Sequence, residues 1–296
     1  MKQDKLSTID FDRLWDYSNP AATELKFRSL LDSLVTQSGV LDPSYRAELM
    51  TQIARATGLQ GKFPEAHSIL DSVEQVLPTV LPGARIRYLL ERGRVYNSSG
   101  ERDKARQFFL EAWDFGKVNH LDFYAVDAAH MLGISEPPED QIIWNQRALD
   151  LAEKSKDKRS KSWLGPLYNN LAWTYFDSDN YDQALFFFQK DLNWRTEIGD
   201  ESGARIAKWS TGRVLRAQNN LEEALVIQKE LELEIDSSFL EKDGYLYEEL
   251  AELYLLKNDT TRARHYFSLA YEILSQDNWL SEQDPERLAR MKNLGE

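Results

Sequence analysis

Apolar and small residues in this chain recur three and four positions apart, as in Leu89, Gly93 and Tyr96; Tyr168, Leu171, Ala172 and Tyr175; and Tyr247, Leu250, Ala251 and Tyr254. That interval puts them on one face of an α-helix, with polar residues filling the positions between. Strand-like alternation is scarce. Proline and glycine punctuation is confined to turns such as Leu81-Pro82-Gly83 and Ser99-Gly100-Glu101, so the pattern predicts an all-α chain.

A second regularity lies over the first. Five times a small residue is followed twelve positions later by alanine: Ala54/Ala66, Gly93/Ala105, Ala172/Ala184, Gly212/Ala224 and Ala251/Ala263. Small residues on two antiparallel helices let them approach closely, so a fixed offset between them marks a helical hairpin repeated along the chain. From Ala66 to Ala105, the equivalent Gln141, Ala184, Ala224 and Ala263, the steps are 39, 36, 43, 40 and 39 residues. A single pair cannot bury its apolar face alone, so six such units are expected to stack.

The residues around these anchors resemble the tetratricopeptide repeat, whose signature is W-x2-L-G-x2-Y followed by A-x3-F and a closing proline. The second unit supplies Leu89, Gly93, Tyr96, Ala105, Phe109 and Ala112. The fourth supplies Tyr168, Leu171, Ala172, Tyr175, Ala184 and Phe188, and the sixth Tyr247, Leu250, Ala251, Tyr254, Ala263, Phe267 and Ala270. The first carries Met50, Ile53, Ala54, Ala66, Leu70 and the closing Pro78; the fifth keeps Gly212, Leu215 and Ala224. The third departs most, with Pro137-Pro138 at its turn and Gln141 in place of alanine, and rests on Ala125, Ala128, Ala129, Leu132 and Ala148. Steps longer than the common repeat of about 34 residues are similar to those of kinesin light chains, Leu-Gly-Asn-repeat spindle adaptors and Rap-type peptide-sensing regulators. HEAT repeats share the period without the Tyr and Phe placements.

The resemblance implies a right-handed superhelical solenoid of about six helix pairs, bounded at 43–80, 82–119, 121–156, 162–199, 203–238 and 243–277. Residues 1–42 and 278–296 are expected to cap its ends. The first cap draws on residues 8–38, with Leu14, Trp15, Leu25, Phe27, Leu30, Leu31 and Leu34; the second is an amphipathic helix beginning near Pro285.

Composition narrows the function. The chain has no cysteine, which removes disulfides, thiolate zinc sites and thiol nucleophiles. Its start shows no apolar leader and no run approaches the roughly 20 apolar residues of a membrane span, so a cytoplasmic protein is expected, without membrane attachment. A net charge of −13 disfavours a nucleic-acid partner, which would call for a basic face. The one strong charge run, Glu153 to Lys161, is read as a solvated loop in preference to a docking patch because it lacks interleaved aromatics. His67, His120, His130 and His265 form no metal-binding spacing and no phosphate-binding glycine loop occurs. No enzyme activity, cofactor or metal is expected.

The candidate site follows from helical geometry together with the resemblance, which implies that the first helix of each pair lines a concave groove. Residues one after the small anchor are then Arg55, Arg94, His130, Trp173, Arg213 and Glu252, a column rich in cations for an acidic protein. Around it stand Asn169, Asn170, Trp209 and Arg216. Asn170 occupies the position at which peptide-binding members of the family use asparagine to bond a ligand backbone; arginines would pair with ligand carboxylates and tryptophans would anchor apolar groups. The competing reading has the tryptophans packing between adjacent first helices and the arginines pairing with Glu91 or Asp127. The carboxylate clamp of chaperone-tail binders is not matched, since units four to six offer Asn169 and Trp173, then Ser210, then Tyr245 and Glu249. The expected function is a scaffold that captures a peptide or helix of another protein, as a monomer or weak dimer. The alternative is a sensor in which a peptide or metabolite changes the solenoid and so controls a signalling partner.

Overall fold

The computed structural model describes residues 11–38, 42–238 and 240–296. Residues 1–10 and 39–41 of the expected first cap, and the side chain of Leu34, lie outside the described residues. The described residues form fifteen α-helices and no strand. They divide into two compact units, ending and beginning at Trp163 and Leu164. The first holds α1 (Pro20–Ser38) and the pairs α2 (Pro43–Leu59) with α3 (Phe63–Glu74), α4 (Pro82–Ser98) with α5 (Arg102–Val118), and α6 (Asp122–Ser135) with α7 (Pro138–Lys154). The second holds α8 (Leu164–Asp177) with α9 (Tyr181–Ile198), α10 (Glu201–Ala217) with α11 (Leu221–Ser237), and α12 (Gly244–Leu256) with α13 (Thr260–Leu274), followed by α14 (Asn278–Gln283) and α15 (Pro285–Gly295).

Sixteen positions after the small anchor of each first helix, the second helix carries Leu70, Phe109, Asn145, Phe188, Gln228 or Phe267, all fully buried. The close approach explains why the anchor is small. A Cβ at Gly93 would lie 2.5 Å from the Phe109 ring, and one at Gly212 would lie 2.3 Å from the Gln228 amide. In the third and fifth pairs the large residue is an amide that donates to the opposite backbone, Asn145 Nδ2 to Gly133 O at 2.9 Å and Gln228 Nε2 to Trp209 O at 2.9 Å. Buried amides need such partners to offset their desolvation.

The turns are equally regular. Gly61, Gly100, Asp179, Asn219 and Asn258 adopt left-handed backbone between paired helices, and the next N–H reaches back to close the helix end, as from Glu101 to Tyr96 O at 2.8 Å and from Asn220 to Leu215 O at 2.8 Å. The third pair differs because Glu136 and Pro137 hold the turn extended and Pro138 opens α7, with Glu136 N–H donating to Leu132 O. Part of the acidic excess serves as helix caps: the carboxylates of Asp42, Asp200, Asp243, Asp259, Asp277 and Asp284 accept backbone N–H groups at helix starts, where the helix dipole favours negative charge.

The charge run ends in a 3-10 turn, Lys158–Trp163. Arg159 pairs with Asp157 and lies over the Phe123 ring at 4.9 Å, so part of this run packs on α6 where a solvated loop was expected. Helix α15 starts with Pro285 at its first turn and buries Leu288 and Met291 against α13. No described helix is long and apolar enough to cross a membrane.

Candidate functional site

In the second unit α10, α12 and the start of α15 present side chains to one cavity. On α10 the spacing of Trp209, Arg213 and Arg216 puts all three on one face. On α12 Glu248, Glu249 and Glu252 do the same, and α15 adds Arg287 and Arg290. Together with Asp284 these residues line a cavity of about 350 Å³, Arg290 excepted.

Most charges here are already matched. Arg216 grips Glu249 with two bonds, the second at 3.0 Å from Nη2 to Oε2. Arg287 holds Glu248 through Nε at 2.7 Å, and Arg290 donates to Glu252. Glu248, Glu249 and Glu252 are thus each bonded to an arginine of the same chain, which leaves little free negative charge for a basic ligand. Burial works against the charge of Arg216, but the bond to Glu249 more than offsets it and its pKa is raised.

Arg213 is different. Among the described residues its guanidinium makes no ion pair or hydrogen bond, and its Nε is buried without a partner. It lies instead over three rings, Trp209 at 5.5 Å, Trp173 at 5.6 Å and Phe176 at 5.9 Å. Burial lowers its pKa; Glu249 offsets part of this, while Arg216 and Arg287 add repulsion. Aromatic faces attract a cation by about 0.5–2 kcal/mol each way of counting exposure, but they leave the N–H donors unused. The rings are themselves fixed, Trp173 against Trp209 at 6.1 Å and Trp209 Nε1 donating to Tyr245 O at 3.2 Å.

The sequence-derived residues therefore fall into groups. Trp173, Trp209 and Arg213 come together, and Arg216 stands beside them bound to Glu249. Asn169 and Asn170 are half-buried on α8, one turn before Trp173, and do not line the cavity. Arg55 and Arg94 belong to the first unit. There Arg94 joins Glu91 at 2.8 Å and Asp127 at 2.5 Å, and Arg55 lies 3.5 Å from Glu91 and 5.3 Å from each of the stacked Trp15 and Tyr17 rings. Sequence reasoning missed Phe176 and the arginines of α15. The three-residue spacing from Trp173 to Phe176 could have found the first; nothing local reveals Arg287 and Arg290, which reach residues 39 and 38 positions away.

Residues 165–195, the heart of the fourth pair, match the family described as Tetratricopeptide repeat. No curated protein sequence matches the chain. Among solved structures, a Signal Transduction ATPase with Numerous Domains (STAND) protein with a tetratricopeptide repeat sensor, from Pyrococcus horikoshii, is similar over 96% of this chain with a TM-score of 0.72 and 20% identity. This chain spans only 44% of that protein. A putative kinesin light chain from Podospora anserina with nearly identical TPR-like repeats is similar over 67% of this chain and 99% of its own, with a TM-score of 0.55 and 14% identity. NprR in complex with its cognate peptide NprX is similar over 99% of this chain and 83% of its own, with a TM-score of 0.51 and 16% identity. At such identities the likeness concerns the fold. The sequential helix pairs thus have the fold of tetratricopeptide-repeat proteins, and the fourth pair matches the repeat family itself.

Proposed function

We propose that the protein is a non-catalytic interaction module that captures a peptide or helix of another protein on the first-helix face of the second unit. One observation carries this reading: Arg213 lies over aromatic rings at a cavity of about 350 Å³ with its hydrogen-bond donors unspent, while the arginines around it are paired. A guanidinium in that setting gains most from a carboxylate, which accepts two parallel N–H bonds. The ligand is therefore a segment with an acidic side chain or C-terminal carboxylate next to an apolar group that rests on Trp209 and Trp173. Asn169 and Asn170 would bond its backbone, an amide being able to donate and accept. Arg216 sets the edge of the site, since recruiting it would require giving up Glu249.

Affinity capture from native lysate, followed by mass spectrometry, tests this with the wild type against an Asn170→Ala/Arg213→Glu variant whose helical circular dichroism is unchanged. A protein retained by the wild type and lost from the variant identifies the partner and supports the site. Equal retention by both baits overturns it.

A sensor is the second reading, supported by the likeness of fold to a protein carrying a tetratricopeptide repeat sensor and to NprR bound to its peptide. On this reading ligand capture changes the arrangement of helix pairs and so the affinity for a second partner. A ligand-dependent change in the small-angle scattering profile would favour it over a static scaffold.

A further inference from the structure

The charges around the cavity in the second unit do not cancel at random. Three arginines of its wall and rim are matched one to one with glutamates: Arg216 with Glu249, Arg287 with Glu248 and Arg290 with Glu252. Among the described residues that line the cavity, two charges are then left over, one of each sign. The positive one is Arg213, whose guanidinium lies over rings with Nε buried and unpartnered. The negative one is Asp284, the residue that joins α14 to α15.

These two do not satisfy each other, because each is held where it stands. Asp284 is a helix cap: its Oδ1 accepts the Arg287 N–H at 3.2 Å at the start of α15, and its Oδ2 is left for another donor. Arg213 is held by Trp209 and Trp173, and Trp209 is itself tied to α12 through Tyr245 O. Partly buried charges without partners cost free energy. A ligand with one anionic and one cationic group offsets both costs at once, whereas a purely anionic ligand would satisfy Arg213 and be repelled by Asp284. The volume of about 350 Å³ lies at the small end of small-molecule pockets. It has room for a few amino-acid residues at most, and Trp209 supplies an apolar wall.

We propose that this cavity binds a small zwitterion with an apolar side chain, either a free amino acid or a short peptide with both termini free. Its carboxylate lies on Arg213, its ammonium group on Asp284 and its side chain on Trp209. Arg213 keeps the role given to it above, on which this inference rests. Asp284 is added as the residue that distinguishes a free N-terminus from a segment inside a longer chain, which brings a carboxylate but no ammonium group with it. An extended peptide adds at most about 3.6 Å per residue between its charged ends, so the spacing of Arg213 and Asp284 selects the length.

Isothermal titration calorimetry of the full-length protein with leucine, dileucine and trileucine, each free and N-acetylated, tests this. One free member is expected to bind with a Kd below about 1 mM, and its length separates amino acid from peptide. Acetylation removes the ammonium group and keeps the carboxylate, so it should weaken binding about tenfold or more. Asp284→Asn keeps the helix cap, for which asparagine serves equally well. It should bring the free ligand down to the affinity of the acetylated one and leave the latter no weaker. Arg213→Gln should abolish binding of both. Equal binding of free and acetylated ligands, or an acetylation effect that persists in Asp284→Asn, would overturn the zwitterion while the carboxylate site at Arg213 stands. Absence of binding by every free member at about 10 mM would overturn it as well, with the capture of a protein by Arg213 decided separately by the lysate experiment. Binding undiminished by Arg213→Gln would sink both readings.

Discussion

At the scale of the residue, the repeat is set by one contact between a small anchor and the large side chain sixteen positions later. Gly93 shows how tight it is: any Cβ there meets the Phe109 ring, itself fully buried and with no free volume to rotate into. Replacing glycine by alanine in a helix would by itself gain about 1 kcal/mol. Overpacking in a well-packed core costs about 1–3 kcal/mol, and a rigid ring at 2.5 Å puts this site at the high end. Gly93→Ala is therefore expected to lower stability by about 1–2 kcal/mol, read as an earlier midpoint in urea denaturation. This part of the fold was legible in the sequence, because the offset of twelve between small residues recurs in five of the six pairs. The use of amides at Asn145 and Gln228 was not, since their backbone partners appear only when the helices are paired.

At the scale of the element, helices are joined by turns and by a few buried charges. Arg195 of α9 bridges Asp191, one turn before it at 2.7 Å, and Asp200, the cap of α10, also at 2.7 Å. Asp191 is fully buried and its second oxygen has no partner, so burial outweighs the attraction of Arg195 and raises its pKa to about 6. The folded state thus holds this proton more tightly than the unfolded chain, whose aspartates titrate near 3.8. The stabilisation from protonation is complete below the unfolded value and is lost as pH rises through about 6. Asp191→Asn should flatten the fall in stability between about pH 4 and pH 6, measured as Tm against pH for variant and wild type. Had the slope been unchanged, another group would carry it.

At the scale of the whole molecule, a stack of helix pairs is stabilised by neighbour contacts, and a terminal pair must have its outer face covered. In the second unit α15 does this for α13, placing Met291 in the cluster with Tyr247, Leu250, Phe267 and Leu288. Met291→Ala should cost about 2–5 kcal/mol and speed amide exchange in α13 while leaving α2 to α7 unchanged. The same helix also does electrostatic work, since Arg287 and Arg290 neutralise Glu248 and Glu252. A cap read from the sequence as a cover for apolar surface is also what removes the acidic character from the first-helix face.

The sequence by itself determined the helices and their pairing, because those depend on periodicity and on offsets shared along the repeats. It placed Arg55, Arg94 and Arg213 at equivalent positions, with Arg216 beside the last of them. Only the tertiary structure separated them. Arg216 meets Glu249 thirty-three positions away, Arg94 meets Asp127 at the same distance along the chain, and Arg55 is covered by a segment preceding the first repeat. Arg213 alone of the four has rings where the others have carboxylates or a strap. The physical reason is that burial of apolar faces is repeated and so leaves a periodic signal. Charge pairing depends on which side chains can reach across from the next repeat, and that reach is fixed only once the helices have packed.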